Sequence, residues 1–212
     1  MISAIVLAAG LSKRMELGNK LLLEKNKITI IENTIRGVKA SKVDEIIVVL
    51  GKDSAIFKKK INDKTIVYVI NKNYSNGIST SIKKGLEKVN KKSIATIICL
   101  GDMPSIKTAT YNKIIDKFYN SKNQNIIPYF KSMQGNPILF NKIYFEKLKE
   151  IKGDKGAKFL IKKYSKDFLK LQLTDQYILK DIDNAAQYYR YLDNEWSYKT
   201  NIMGLWRSIN KK

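Results

Sequence analysis

The chain lacks histidine altogether and contains a single cysteine, Cys99, among its 212 residues. The absence of histidine excludes imidazole acid–base catalysis, Ser-His triads and histidine-ligated zinc within this chain. One cysteine cannot form an intrachain disulfide, and its position in the apolar run 94–100 predicts a buried structural thiol. Any bound metal must therefore be held by oxygen ligands, which favours magnesium.

Acidic residues are also scarce, because 19 Asp and Glu stand against 40 Lys and Arg, for a formal net charge of +21. Such an excess can indicate nucleic acid, acidic lipid or an anionic small substrate. The lysines are spread along the whole chain, and no RNA- or DNA-binding motif accompanies them. We therefore expect neither nucleic acid nor a membrane as a partner. The apolar start lacks the basic segment of a signal peptide, so we expect a strand there and a cytoplasmic protein.

What the chain does have is a distinctive loop at residues 7–20, LAAGLSKRMELGNK, directly after a short β-branched run. Small residues let an anion approach the backbone N–H groups, and we expect Gly10 to adopt the positive φ that makes successive amides converge. Arg14 is one of only four arginines, which suggests a need for its planar fork on phosphate oxygens. The predicted polyphosphate loop comprises Ala8, Ala9, Gly10, Leu11, Ser12, Lys13 and Arg14, with Lys20 beyond it.

Two common phosphate-binding motifs are excluded by their spacing. A dinucleotide fingerprint requires three glycines in the pattern G-x-G-x-x-G, and this turn has one. A P-loop requires a hydroxyl after its Gly-Lys pair, whereas Lys20 is followed by Leu21. Hydride transfer and ATPase activity both lose support.

Apolar runs alternate with segments of helical period over the first 120 residues. Strands are predicted near 2–8, 45–50, 65–70 and 94–100, and helices near 29–41, 53–61, 79–89 and 107–120. This alternation predicts a single α/β, Rossmann-like, three-layer domain, with a mostly parallel sheet and helices on both faces. After residue 125 we expect a small β insertion, helices at 141–150 and 156–164, strands at 168–173 and 177–182, and a helix from about 184.

Asp102 is the strongest candidate for chemistry, because it follows an apolar strand between Gly101 and Pro104. A carboxylate held this rigidly at the carboxyl edge of a sheet suits a magnesium ligand. The alternative is a helix N-cap, although Ser105 and Thr108 stand nearer the helix start.

A partner carboxylate is available at the end of the predicted strand 177–182, in Asp181 and Asp183. Alternate strand residues share a face, so Asp181 and Asp183 could both point the same way. Asp183 could instead cap the helix that follows it.

A series of motifs along the chain extends these observations: LAAGLSKRM, NKLL, NGISTSIKKGL, LGDMP, QGNPILF, GDKGAKFL and DIDNAAQY. Together they resemble the molybdenum cofactor cytidylyltransferases of the nucleotidyltransferase superfamily, over about residues 1–192. The resemblance implies a nucleotidyltransferase domain at 1–192 and a tail at 193–212 of unknown role, whose Trp196 we expect to pack on the domain or a second copy.

The resemblance also implies roles for individual residues. Arg14, Lys20 and Asp102 would be catalytic, the loop from Ala8 with Lys20 would hold the CTP triphosphate, and Asp102 and Asp183 would hold magnesium. Gly77 and Ser81 would lie near the base and ribose. The acceptor phosphate would face Gln134, Gly135 and Asn136 together with Gly153, Asp154 and Gly156, the latter three in a turn that includes Lys155.

The implied reaction transfers CMP from CTP to the phosphate of molybdopterin with release of pyrophosphate. A molybdenum hydroxylase would then receive the cofactor. Two alternatives stay open: a nucleotidyltransferase that uses a sugar phosphate or another small phosphorylated acceptor, and a non-catalytic chaperone that handles molybdopterin.

The base preference can be tested directly, because Ala9 stands where the guanylyl-transferring relatives carry glycine in LAGG. The added methyl group narrows the space beside the base, and a pyrimidine needs less room than a purine. We expect kcat/KM to favour CTP over GTP and ATP by roughly 10- to 200-fold, and Ala9→Gly to narrow the gap. Equal use of GTP and CTP by the parent protein would contradict the cytidylyl expectation.

Overall fold

The computed structural model describes residues 1–122 and 124–193, so the predicted packing of Trp196 in the tail lies outside the described residues. Within these ranges the strands are β1 Ile2–Ala8, β2 Glu24–Lys25, β3 Ile28–Thr29, β4 Glu45–Leu50, β5 Val67–Ile70, β6 Ala95–Leu100, β7 Asn125–Phe130, β8 Met133–Gln134, β9 Ile138–Asn141 and β10 Phe168–Leu173. The helices are α1 Ile30–Lys39, α2 Ser54–Ile61, α3 Ile78–Leu86, α4 Thr108–Tyr119, α5 Phe145–Glu150, α6 Lys158–Lys163 and α7 Ala185–Leu192.

The main sheet has the strand order β10-β7-β9-β6-β1-β4-β5, and β8 pairs with β7 at its side. The pairs β1–β4, β1–β6, β4–β5 and β7–β10 are parallel, whereas β9 runs antiparallel to both β6 and β7. All seven residues of β1 are buried, as expected for a central strand covered on both faces. The predicted α/β, mostly parallel fold is confirmed.

The core consists of two layers, one on each face of the sheet. Ile2, Ala4 and Val6 of β1 pack with α1, α2, α4 and α7, whereas Ile5 and Leu7 pack with α3, α5 and α6. This division follows from the period of two along a strand, which sends successive side chains to opposite faces. No helix in the described ranges is long and apolar enough to cross a membrane.

The second half of the chain differs in part from its prediction. The segments expected to form a β insertion are β7, β8 and β9; β7 and β9 extend the main sheet, and only the short β8 forms a hairpin beside it. The strand predicted at 177–182 is wrong, because Gln176–Leu179 is a 3₁₀ helix. The Asp175 side chain caps this helix by accepting from Tyr177 N at 2.9 Å.

Helix α3 approaches the sheet closely because Gly85 faces β1. A Cβ atom at Gly85 would lie 2.5 Å from Cγ2 of Ile5 and 3.2 Å from Cγ2 of Val49. Both atoms belong to short, fully buried branched side chains, which have no room to move aside.

Gly85→Ala has two opposing effects on stability, a gain in helix propensity and a loss from overpacking. Alanine gains about 1 kcal/mol of helix propensity over glycine, and overpacking a core costs about 1–3 kcal/mol. We expect the free energy of unfolding, measured by urea denaturation, to fall. A rise of about 1 kcal/mol, the propensity gain alone, would contradict the tight contact.

Candidate active site

Most of the predicted site residues line one cleft of about 440 Å³ at the carboxyl ends of β1 and β6. Functional sites of open α/β sheets occur at this edge. Among the residues that line the cleft are twelve predicted site residues: Ala9, Gly10, Leu11, Ser12, Lys13, Arg14, Lys20, Gly77, Ser81, Asp102, Asp154 and Asp183.

The centre of the cleft is an ion-pair network around Lys20. Its ammonium group donates to Oδ2 of Asp102 at 2.5 Å and to Oδ1 of Asp183 at 2.7 Å. Arg14 donates from Nη2 to the other oxygen of Asp183, also at 2.7 Å. The Lys20 side chain is 11% exposed and that of Arg14 is 73% exposed, so one cation lies inside the network and one at its rim.

Polar side chains of the loop after β1 hold the backbone of Lys20 in this position. Ser12 Oγ accepts from Lys20 N at 3.2 Å, and Asn19 Oδ1 accepts from Leu21 N at 3.2 Å, which starts the short 3₁₀ helix Lys20–Leu22. Asn19 Nδ2 donates to Asp53 Oδ2 at 2.7 Å and so ties the loop to the start of α2. Met15, which is buried, anchors the middle of the loop in the core.

The predicted conformation of Gly10 is wrong. The left-handed φ values of this loop fall on Ser12, at 51°, and on Gly18, at 96°, and Gly10 is not among the residues of positive φ. No atom lies within 4 Å of the Cβ position that Gly10 lacks. Gly10 therefore contributes open space next to the backbone rather than a special turn.

Asp102 is fixed by the tight turn at the end of β6. The N–H of Gly101 donates to the carbonyl of Leu7 at 2.9 Å, and the Thr34 hydroxyl donates to the Gly101 carbonyl at 2.9 Å. A Cβ at Gly101 would lie 2.8 Å from the Leu7 carbonyl oxygen, so this position requires glycine. The N-cap of α4 is Lys107, without a side-chain bond, so Asp102 does not cap that helix.

Asp183 lies near Asp102, but the segment that places it there is not the predicted strand. The N–H of Ile182 donates to the backbone carbonyl of Asp102 at 3.0 Å, and the Ile182 side chain is fully buried in the core. The cap of α7 is Asn184, whose side chain accepts from Gln187 N. The alternative role of Asp183 as a helix cap is therefore excluded.

The network shifts the pKa values of its members in opposite directions. Burial opposes the charge of Lys20, but attraction to Asp102 and hydrogen bonds to both carboxylates outweigh it, so the pKa of Lys20 is raised. Burial also opposes the charge of Asp183, and its bonds to Lys20 and Arg14 outweigh it, so that pKa is lowered. The pKa of Asp181 is raised by burial and by repulsion from Asp183 and Asp102.

One feature of the site suits a cation shared with phosphate. The Oδ1 atom of Asp102 is buried and has no hydrogen-bond partner among the described residues. Mg²⁺ is typically bound by one or two carboxylates together with substrate phosphates rather than by a complete protein cage. Consistent with that, the described part of the chain contains no group of three or more potential metal-ligating His, Cys, Asp or Glu side chains.

The turn at 153–156 packs against the start of α3. Gly77, at φ 100°, has no room for a Cβ because the backbone of Gly153 lies against it. Asp154 Oδ1 accepts from Ile78 N at 3.1 Å and thereby caps α3 from a distant segment. Gly156 is buried beside Ile78. The predicted acceptor turn thus borders the cleft, with Asp154 in its wall.

The other predicted acceptor residues, Gln134, Gly135 and Asn136, do not line the cleft. Asn136 N donates to the Ile178 carbonyl at 2.9 Å, and a Cβ at Gly135 would lie 2.6 Å from Cγ1 of Ile178. Gln134 lines a separate groove beside Tyr129. Their role toward the acceptor stays a prediction. Ala8 lines a smaller cavity of about 250 Å³ on the other side of the loop.

Sequence reasoning missed two parts of the site. Tyr74 lines both cavities, but a tyrosine in a polar segment carries no specific signal. Gln187 accepts from the N–H of Asp183 at 2.7 Å, and the N-x-x-Q spacing of a capping box could have revealed its place at the helix start.

Comparisons with known proteins identify the class. Residues 4–168 match the MobA-like NTP transferase domain, and the chain belongs to this family. It is 29% identical to the molybdenum cofactor cytidylyltransferase of Escherichia coli K12 over 143 residues, covering 66% of this chain and 70% of that protein. It is 28% identical to the bifunctional protein GlmU of Buchnera aphidicola over 193 residues, covering 91% of this chain. The chain spans only 39% of that GlmU, so its own substrates and partners are proposals.

Solved structures share the fold of this chain. The crystal structure of Rv0371c from Mycobacterium tuberculosis H37Rv superposes with a TM-score of 0.81 at 25% identity, covering 91% of this chain and 97% of that one. A nucleotidyl transferase from Methanothermobacter, at 22% identity and a TM-score of 0.78, shows the same fold over 92% of this chain and 97% of that one. A manganese complex of Rv0371c is also known.

Lys20→Met tests whether Lys20 is needed to hold the two carboxylates together. We expect a loss of about 1–3 kcal/mol in the free energy of unfolding at pH 7, because Asp102 and Asp183 would then face each other without a cation. Lys42→Met, which breaks an exposed pair with Asp116, is the control and should cost little.

The pH dependence of this loss follows from the directions of the pKa shifts. The lowered pKa of Asp183 contributes stability above its unfolded value of about 3.9, which is lost as pH falls through the folded value. The raised pKa of Lys20 contributes stability below about 10.4, which is lost as pH rises through the folded value. The loss in the free energy of unfolding of Lys20→Met should therefore reach its full size between about pH 5 and 10. A stability loss in Lys20→Met that is unchanged at pH 3 would contradict the explanation that the loss comes from the ion pairs of Lys20.

Proposed function

We propose that the protein transfers CMP from CTP to the phosphate of molybdopterin, with magnesium and with release of pyrophosphate. One observation carries the proposal: Lys20 holds the carboxylates of Asp102 and Asp183 side by side at the mouth of the small-residue loop after β1. The similarity to a cytidylyltransferase of E. coli and the Ala8-Ala9-Gly10 turn support cytidine as the base.

The chemistry requires no side-chain nucleophile. An acceptor phosphate is already ionised at neutral pH, so one of its oxygens forms the new bond to the α-phosphorus of CTP while the bond to the leaving pyrophosphate breaks. The absence of histidine is therefore no obstacle. The contribution of the chain is to orient the two phosphates and to neutralise charge as it develops.

Each group in the cleft has a place in this scheme. The open space beside Gly10 would admit an anion, and Arg14 and Lys20 supply positive charge on either side of Asp183. Asp102 and Asp183 would hold Mg²⁺, which when bound supplies Lewis-acid stabilisation to phosphate oxygens. The Oδ1 atom of Asp102, which has no hydrogen-bond partner among the described residues, supports this role for Asp102.

The assay for the proposal combines purified protein with MgCl2, molybdopterin and one of CTP, GTP, ATP or UTP. We expect a dinucleotide whose mass is that of molybdopterin plus CMP less one water, formed with equimolar pyrophosphate and fastest with CTP. A parallel set with hexose 1-phosphates tests the alternative acceptor class. Tight molybdopterin binding without pyrophosphate would instead indicate the chaperone.

Asp102→Asn tests the proposed metal ligand. The substitution preserves the size and the bond to Lys20 but removes the charge, so we expect an unchanged melting temperature within a few degrees and a turnover reduced by at least about 10²-fold. Asp116→Asn, in an exposed ion pair on α4, is the matched control and should behave as the parent. Parent-level turnover in Asp102→Asn would contradict the proposed role of Asp102 as a metal ligand.

A further inference from the structure

Asp183 lies in a segment that belongs to no strand or helix. It follows a 3₁₀ helix that ends at Leu179 and precedes α7, which begins at Ala185. Both of its carboxylate oxygens are engaged, one by Lys20 and one by Arg14. Its orientation therefore depends on the few bonds that fix the backbone on either side of it.

Two backbone bonds supply that fixation. On one side Ile182 N donates to the carbonyl of Asp102 at 3.0 Å. On the other side the N–H of Asp183 itself donates to Oε1 of Gln187 at 2.7 Å, and the N–H of Asn184 donates to the same atom at 3.1 Å. The Gln187 side chain is thus a direct link between α7 and the backbone of Asp183.

Helix α7 can serve as a rigid reference because it is tied to the rest of the domain at several points. The Tyr191 hydroxyl accepts from Asn33 Nδ2 at 3.0 Å, and Lys25 donates to the Tyr191 carbonyl at 2.5 Å. The Tyr188 hydroxyl donates to the carbonyl of Glu24 at 2.6 Å. The position of Gln187 is therefore set by α1 and by the β2–β3 hairpin.

We propose that Gln187 is a positioning residue of the active site, which holds the backbone of Asp183 so that its carboxylate meets Lys20 and the reacting phosphates. The inference rests on the proposed nucleotidyl transfer and deepens it. Groups that orient metal ligands in this way typically change activity or metal affinity by roughly 10- to 100-fold when they are removed.

A capping role alone is the competing explanation, and the chain offers a matched control for it. Asn184 forms the other half of the same capping box, through Oδ1 accepting from Gln187 N at 3.0 Å, and it does not bond the Asp183 backbone. Asn184→Ala and Gln187→Ala should therefore both lower the melting temperature, since each removes a cap bond. Only Gln187→Ala removes the bond to Asp183.

The experiment compares parent, Gln187→Ala, Gln187→Glu and Asn184→Ala by kcat, by KM for CTP and by calorimetric titration of Mn²⁺ in the presence of CTP. We expect Gln187→Ala to lose roughly 10- to 100-fold in kcat and in Mn²⁺ affinity, with KM for CTP changed little. Asn184→Ala should match the parent in both quantities. Gln187→Glu keeps an acceptor oxygen at the same place and should recover most of the loss.

The outcomes separate this inference from the proposed function. Equal losses of kcat and Mn²⁺ affinity in Gln187→Ala and Asn184→Ala would overturn the positioning role. Parent-level kcat and Mn²⁺ affinity in Gln187→Ala would overturn it as well. A parent that binds Mn²⁺ with CTP but makes no product would contradict the proposed reaction, while the Mn²⁺ affinities still test the role of Gln187. A parent that binds no Mn²⁺ at all would overturn both.

Discussion

The candidate active site depends on one ammonium group, that of Lys20, placed between two carboxylates that are far apart in sequence. Asp102 and Asp183 are both partly buried, and without a cation between them their mutual repulsion would oppose the packing of the chain around the cleft. The rest of the local structure serves this arrangement. The loop after β1 supplies the lysine, the turn after β6 supplies one carboxylate, and the segment before α7 supplies the other.

The same arrangement links stability to function. Lys20 neutralises Asp102 and Asp183 in the fold, and in the proposed reaction the same positive charge would stabilise phosphate oxygens of the substrate. Arg14 differs in this respect, because it forms an ion pair with Asp183 while most of its side chain remains exposed to solvent. A substrate phosphate can therefore compete for Arg14 far more easily than for Lys20.

Much of this could be predicted from the sequence, and the reasons are physical. β1 and β6 are short β-branched runs, and the polar residues that follow each of them fall at one edge of a parallel sheet, so the loop residues and Asp102 were predictable as neighbours. The match to the MobA-like family agrees with the motifs in these same segments.

The errors lie where a contact is made by distant backbone. The apolar residues of 177–182 do not alternate with polar ones, because Tyr177, Ile178 and Leu179 are consecutive, and Asp175 caps a 3₁₀ helix there instead of a strand. The bond from Ile182 to Asp102 joins residues 80 positions apart and leaves no trace in the sequence. The positive φ expected at Gly10 is found instead at Ser12 and Gly18, and the Ser12 side chain also bonds Asn19 across the loop.

A double-mutant cycle on the free energy of unfolding tests the Lys20 network most directly. It compares the parent, Lys20→Met, Asp183→Asn and the double variant at pH 7. If the ammonium bridges the carboxylates as described, the double variant will be more stable than the sum of the single losses predicts, with a coupling of about 1–3 kcal/mol. Additivity within about 0.5 kcal/mol would contradict the bridge and with it the organisation of the site.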